Sequence, residues 1–286
     1  MQLAINALLA ASLYALVAMG LTIILGVLDI ADFAQGALYM LGAFTAFYAT
    51  TLLGLDFFLA LPLGFVVGGA IGVANYLAVY RPLRRASGAT TFIAALGLLL
   101  ILQNLALWIF GADFKLVPSP FGKARFSLLG ASMGSYQVFL IAAVAVVVLA
   151  TWAFLQRTRL GKALRAVSQN RNGALMIGVD ALRVEVTAFA VAGGLAGLGG
   201  ALASAVNAFD PSVAALVVIK AFAIVIFGGM GSVPGALLGA VIVGVMETAT
   251  AGLVNTQYAE LTAFVLMVIV LLVRPRGLLG SPETKL

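Results

Sequence analysis

"SVAALVVIKAFAIVIFGGMGSVPGALLGAVIVGVMETATAGL", residues 212–253, decides the fold. At about 42 residues it exceeds the roughly 20 apolar residues that span a bilayer once. It is interrupted at 228–235 by "GGMGSVPG". Gly228, Gly229, Gly231 and Gly235, with Ser232 and Pro234, cannot continue a helix cheaply. The segment is therefore two short spans or a re-entrant pair. Non-helical backbone at membrane depth is tolerated only where it is buried in protein or faces a watery cavity.

The rest of the chain leaves little room for a soluble fold. Of 286 residues, 63% are hydrophobic and 9% charged, and the mean hydropathy is +1.17. Soluble domains are about half apolar and a quarter charged. Such a chain has too little polar surface to face water, so an all-α polytopic membrane protein of about 8–10 helices is expected, forming one domain over 1–286. Further apolar candidates lie near 3–28, 33–53, 57–80, 90–110, 136–155, 184–206 and 258–274. The first lacks a basic flank and reads as a spanning helix rather than a cleavable signal.

The cations set the expected orientation. Arg81, Arg84 and Arg85 share one loop, six more lie in 157–183, and Arg274, Arg276 and Lys285 end the chain. Placing these twelve of sixteen cations in the cytoplasm satisfies the positive-inside rule. It leaves Lys115, Lys123 and Arg125 outside and Lys220 within a span. An outside N-terminus and a cytoplasmic C-terminus then require an odd number of crossings. Nine is the count preferred, with 212–253 crossing twice. The basic charge is mostly orientation, and nucleic-acid binding drops out.

Zero Cys and zero His remove thiol nucleophiles, Cys/His zinc sites and imidazole relays, so no catalytic, metal or cofactor site is expected. "GGLAGLGGAL" (193–202) and 228–240 lack the Lys of a phosphate-cradling loop. The pairs Gly64/Gly68, Gly68/Gly72, Gly193/Gly197 and Gly235/Gly239 have the spacing of close helix packing instead. Asp29, Asp32, Asp56, Asp210 and Glu260 map to span ends. Glu247 is the main acid in a span interior, too little for a proton relay. A pore subunit driven by another chain fits these absences best.

Loop 156–183, "QRTRLGKALRAVSQNRNGALMIGVDALR", is the one long stretch with the look of a soluble surface. At 100° per residue, Leu160, Leu164 and Val167 form a narrow apolar ridge opposite Lys162, Arg165 and Gln169. Asn172–Gly173 is read as the helix stop. A helix resting on lipid headgroups, a peg inserted into a motor subunit, and a gate over a channel mouth all fit this spacing.

Five stretches resemble, in order, the permease subunits of bacterial branched-chain amino-acid ABC importers of the LivH type. They are "GLTIILGVLDIADFAQGALYMLGAF" (20–44), "YRPLRRASGATTFIAALGLLLILQNLALWIFG" (80–111), "RTRLGKALRAVSQNRNGALMIGV" (157–179), "IKAFAIVIFGGMGSVPGALLGAVIVGVME" (219–247) and "RPRGLLG" (274–280). The resemblance implies an importer subunit of the bacterial inner membrane that hydrolyses nothing itself. Its implied partners are two cytoplasmic ATP-binding subunits, a second permease (identical or LivM-like) and a periplasmic binding protein. Loop 157–179 would dock on the ATPase through Leu160, Gly161, Lys162, Leu164, Arg165 and Arg171, with Gly178 where the chain leaves. The Glu-Ala-Ala opening of other ABC permeases is absent. A permease for urea, short amides or other small organic solutes, and a stand-alone channel or ion-coupled transporter, are the alternatives.

Polar groups near the membrane complete the candidate set. Asp29, Asp32, Gln35 and Gly36 stand between two spans, where the family pattern usually has Asn and His in place of Asp32 and Gln35. They form either a capped turn or a broken helix on the translocation path. Gln103 and Asn104 sit mid-span, to line the path or to bond between helices. Lys220 lies about 12 Å along its helix. It either snorkels to the outer surface, meets a substrate carboxylate in a cavity, or pairs with Glu247. The outer loop 111–135 is a candidate dock for the binding protein through Lys115, Lys123 and Arg125, or a plain connector.

Overall fold

A computed structural model describes residues 2–121, 125–128, 131–273 and 277–279. In chain order the helices are α1 Gln2–Leu28, α2 Ala34–Thr51, α3 Phe57–Asn75, α4 Gly88–Phe110, α5 Ser135–Arg157, α6 Arg159–Gln169, α7 Arg171–Met176, α8 Ala181–Ala203, α9 Val213–Gly228, α10 Val233–Leu253 and α11 Thr256–Val273. Six are long and apolar enough to cross a membrane: α1, α3 with its extension to Tyr80, α4, α5, α8 and α10. The shorter α2, α9 and α11 pack in the same bundle, so the described residues hold nine helices of sixteen residues or more, six of them with the length and apolarity of a span against the nine crossings expected. One addition to the all-α reading is a small hairpin in the 111–135 loop, β1 Arg125–Leu128 against β2 Ala131–Gly134.

Helix starts follow local chemistry. Asp56, Ser87, Thr158, Asn170, Asp180 and Ser232 each accept a backbone N–H from the first turn of the helix they precede. Ser232 does this for α10, so "GGMGSVPG" is a two-sided break. Gly229 (φ 103°) and Gly231 (φ 79°) turn the chain where a side chain would strain it. Residues 212–253 therefore form two helices running in opposite directions.

The α8 helix is the axis of the bundle. It runs antiparallel to α1, where Gly20 meets Ala192 and Leu16 meets Gly199, and parallel to α2, where Gly42 meets Gly197. Against α3 the glycines interlock backbone to backbone, Gly64 at Gly197 and Gly68 at Gly193. The predicted small-residue pairs thus do pack helices closely. Gly235 and Gly239 do the same for α10 against Gly228 and Ile224 of α9. α1 and α8 are buried along most of their length, whereas α4 and α5 are largely exposed. The end of the bundle that carries α6 is called basal below, and the opposite end apical.

Two expectations about the loop are corrected. Helix α6 stops at Gln169, not at Asn172–Gly173, because Asn170 Oδ1 accepts the Gly173 N–H (2.8 Å) and starts α7. The buried face of α6 is Gly161, Leu164 and Val167, while Leu160 is 44% exposed. The helix is turned by about one residue because Gly161, without a side chain, lies directly on the Phe154–Leu155 backbone of α5.

Candidate functional site

At the basal end, α3 closes with a π-helical turn, Tyr76–Tyr80, which presents both phenols to α8 around the Phe189 ring. Each phenol meets a buried acid. Tyr76 donates to Glu185 of α8, and Tyr80 donates to Asp32 Oδ1 (2.5 Å). Glu185 also pairs with Arg84 (2.7 Å) and with Arg171 of α7 (3.4 Å). One buried carboxylate thus joins the α3–α4 connector, α7 and the central helix. A basal cavity of about 430 Å³ opens beside it, lined by Asp29, Arg84, Arg171 and Glu185 among others.

The sequence reading passed over Glu185. It sits one turn into a span beside the basic loop, and its partners lie up to 109 residues away. The one available signal was an acid inside the first turns of a span facing a segment rich in arginine.

Asp32 and Gln35 are fully buried in helix packing rather than in a described cavity. Asp32 lies in the connector between α1 and α2 and accepts the Ala34 N–H (3.0 Å), the capped-turn role. Burial pushes its carboxyl up, to about 6, against the opposing pull of the Tyr80 hydroxyl and the Ala34 N–H. Gln35 donates to the Ala192 carbonyl of α8 (2.7 Å), in space left open by Gly20. Asp32 Oδ2 and Gln35 Oε1 keep no described partner. Gly36 lies on the Ala214 backbone of α9.

The predicted docking residues divide into two sets. Gly161 and Leu164 are buried against the bundle, and Arg171 is tied to Glu185, so these hold the loop in place. Arg165 reaches back to the Gln156 carbonyl (3.4 Å). Leu160 and Lys162 face outward. Beyond them the loop exposes Leu175, Met176 (90% exposed) and Ile177 (78% exposed), which the sequence reading passed over. Gly178 follows at φ 84° with open space around it. The break between α9 and α10 is covered by the chain end, where Leu278 and Leu279 donate backbone N–H groups to the Phe227 and Gly228 carbonyls. Arg274, Arg276 and Lys285 lie outside the described residues.

At the apical end, Lys220 of α9 pairs with Glu247 of α10 (2.6 Å), with both side chains mostly buried. Tyr14 of α1 donates to Glu247 (2.8 Å) and accepts from Lys220 (3.1 Å). The three line a cavity of about 540 Å³. Of the roles open to Lys220, cavity lining and pairing with Glu247 therefore coincide. On α4, Asn104 is exposed mid-span and donates to its own helix at Leu100, while Gln103 is half-buried. In the 111–135 loop, the Lys115 backbone pairs with Phe209 and its ammonium stands over the Phe47 ring. Lys123 and the Arg125 side chain lie outside the described residues. No cluster of potential metal ligands occurs among the described residues.

Comparison with known proteins fits this architecture. Residues 3–271 match the family model described as branched-chain amino acid transport system / permease component. The chain is 32% identical over 298 aligned positions to the high-affinity branched-chain amino acid transport system permease protein BraD of Pseudomonas aeruginosa, covering 100% of this chain and 97% of that one. It is 30% identical to LivH of Escherichia coli, with the same coverage, and 27% identical to LivM of that species, over 96% of this chain and 70% of that one. Among solved structures, PsaBC from Streptococcus pneumoniae in complex with Fab shares the fold, with a TM-score of 0.51 and 16% identity over 95% of this chain and 91% of that one. The match of residues 3–271 to the family model, with full-length relatives at 30% identity or more, makes this chain a member of the branched-chain amino acid transport permease component family.

Proposed function

We propose that the chain is one of two permease subunits of an ATP-driven importer in the bacterial inner membrane, carrying branched-chain or similar aliphatic amino acids. Its own residues move the solute and hydrolyse nothing. Nucleotide hydrolysis belongs to two cytoplasmic ATP-binding subunits, and solute delivery to a periplasmic binding protein. The substrate class rests on the names of the full-length relatives, and the partners on the resemblance to ABC importer permeases.

The observation that carries the proposal is the projecting α6–α7 loop. Leu160, Leu175, Met176 and Ile177 stand in the open on a segment rich in cations, a combination suited to a protein partner with an apolar groove and an acidic rim. The same loop is anchored through Gly161 on α5, through Leu164 buried in the bundle, and through Arg171 on Glu185 of α8. A push delivered to the exposed side therefore reaches the central helix through an ion pair rather than through slack chain. Because α8 is interlocked with α2 and α3 at glycine backbones, these three helices respond as one body.

With the basal end in the cytoplasm, Arg81, Arg84, Arg85 and the loop cations obey the positive-inside rule. The N-terminus is then outside. The exposed face of α4, with Asn104 at mid-span, fits the second permease better than lipid, since an amide in hydrocarbon gains from a partner across helices. The test is co-purification: the ATP-binding subunits should come down with this chain, and replacing Met176 and Ile177 by Asp should release them. Solute transport by the purified chain alone would overturn the reading.

A further inference from the structure

We propose that the apical cavity is a recognition site for the charged end of an aliphatic α-amino acid, with Lys220 receiving its carboxylate and Glu247 its ammonium group. This rests on amino acids being the transported class, and it names where within this subunit they would be held.

The ion pair is hard to explain as structure alone. α9 and α10 are already packed through Gly228, Gly235 and Gly239, so their register does not need a salt bridge. Two charges taken out of water rarely stabilise more than a well-packed apolar pair would. Yet Lys220 and Glu247 sit at matching depth, each about two turns below the apical end of its helix. Both line the same void.

That void has the shape of the chemistry proposed. Its volume of about 540 Å³ falls within the roughly 300–1,000 Å³ of small-molecule sites. Leu9, Leu13, Val213, Leu216 and Val217 supply an apolar wall for an aliphatic side chain. Asn6, Gln137 and Asn207 make the apical mouth polar. A zwitterion entering head-on exchanges one ion pair for two, so charge stays balanced before and after loading. Tyr14 already bonds both Lys220 and Glu247, and its hydroxyl can stay with either when they part. An amine or a carboxylic acid alone would leave one buried charge unmatched, and urea would leave the pair closed. Selectivity for α-amino acids follows from that difference.

The experiment is equilibrium binding of radiolabelled leucine to the purified membrane complex, the two permeases with their ATP-binding subunits. Lys220→Met/Glu247→Gln is compared with the unaltered complex, because a neutral pair of similar size keeps the packing. Equal thermal unfolding midpoints would check that it does. Leucine affinity should fall roughly 10- to 100-fold, the loss expected for hydrogen bonds to charged groups, and urea should not compete. Unchanged leucine affinity in the double variant, or no leucine binding by the unaltered complex, would overturn the site. Leucine uptake into proteoliposomes with the binding protein keeps the two readings apart. Uptake without cavity-dependent binding removes this site alone, and absence of leucine uptake removes the amino-acid importer reading with it.

Discussion

Arg171 of α7 and Glu185 of α8 meet at 3.4 Å, and this pair binds the projecting loop to the helix at the centre of the bundle. Glu185 is buried, while Arg171 and its neighbour Arg84 are each about 40% exposed. The carboxylate is held by the fold, and the arginines reach it from the water side. A displacement of α7 therefore acts on α8 through a charge the interior cannot leave unmatched.

Glu185→Ala should lower stability by roughly 1–3 kcal/mol. That is less than the 3–5 kcal/mol of a fully buried pair because both arginines can return to solvent. It should also raise the ATP consumed per solute moved, since the loop loses its grip on α8. Thermal unfolding and the ATP-to-solute ratio in proteoliposomes measure the two effects. An unaltered ratio would show that Glu185 only stabilises.

Met176 and Ile177 touch little of their own chain. Replacing both by Asp should leave unfolding within about 0.5 kcal/mol while the ATP-binding subunits no longer co-purify. Leu164→Ala, one turn inside the same loop, should do the reverse at the level of the fold. Its side chain is 1% exposed, and deletion of a buried leucine costs about 2–5 kcal/mol.

A methyl group at Gly200 would collide with the Tyr39 carbonyl of α2, whereas one at Gly97 meets nothing within 4 Å. Both glycines are helical, so each alanine gains the same helix propensity. Gly200→Ala should destabilise by about 1–3 kcal/mol, and Gly97→Ala should be neutral or slightly stabilising. Equal unfolding midpoints for the two would contradict the close α2–α8 crossing.

Asp32 gives a pH signature. Its carboxyl is raised from 3.8 to about 6 in the folded chain. The folded state therefore holds the proton more tightly than the unfolded state, and stability falls as pH rises between those values. Asp32→Asn keeps an acceptor for Ala34 and Tyr80 and cannot ionise. Its stability relative to the unaltered chain should climb from about pH 4 to pH 6 and level off above. Parallel pH curves for the two proteins would show that burial does not penalise the Asp32 charge.

The span pattern, the break at 228–235, the glycine seams and the helical loop were legible along the chain, because each depends on residues within a few turns of one another. Apolar length predicts a span, Gly-Pro punctuation ends one, and small residues four apart leave a groove. The side of α6 that turned inward was not legible. A single-chain wheel weighs Leu160 by its hydrophobicity and cannot know that the backbone of Leu155 has room only for Gly161. Nor was the Glu185 cluster legible, with partners 14, 101 and 109 residues away. Tyr14 meets Glu247 across 233 residues. Sequence alone thus determined which segments are long apolar helices and that they lie in a membrane, since composition and periodicity are local properties. Tertiary structure alone decided which charges share a cavity, because a buried charge takes its partner from whatever helix the packing sets beside it.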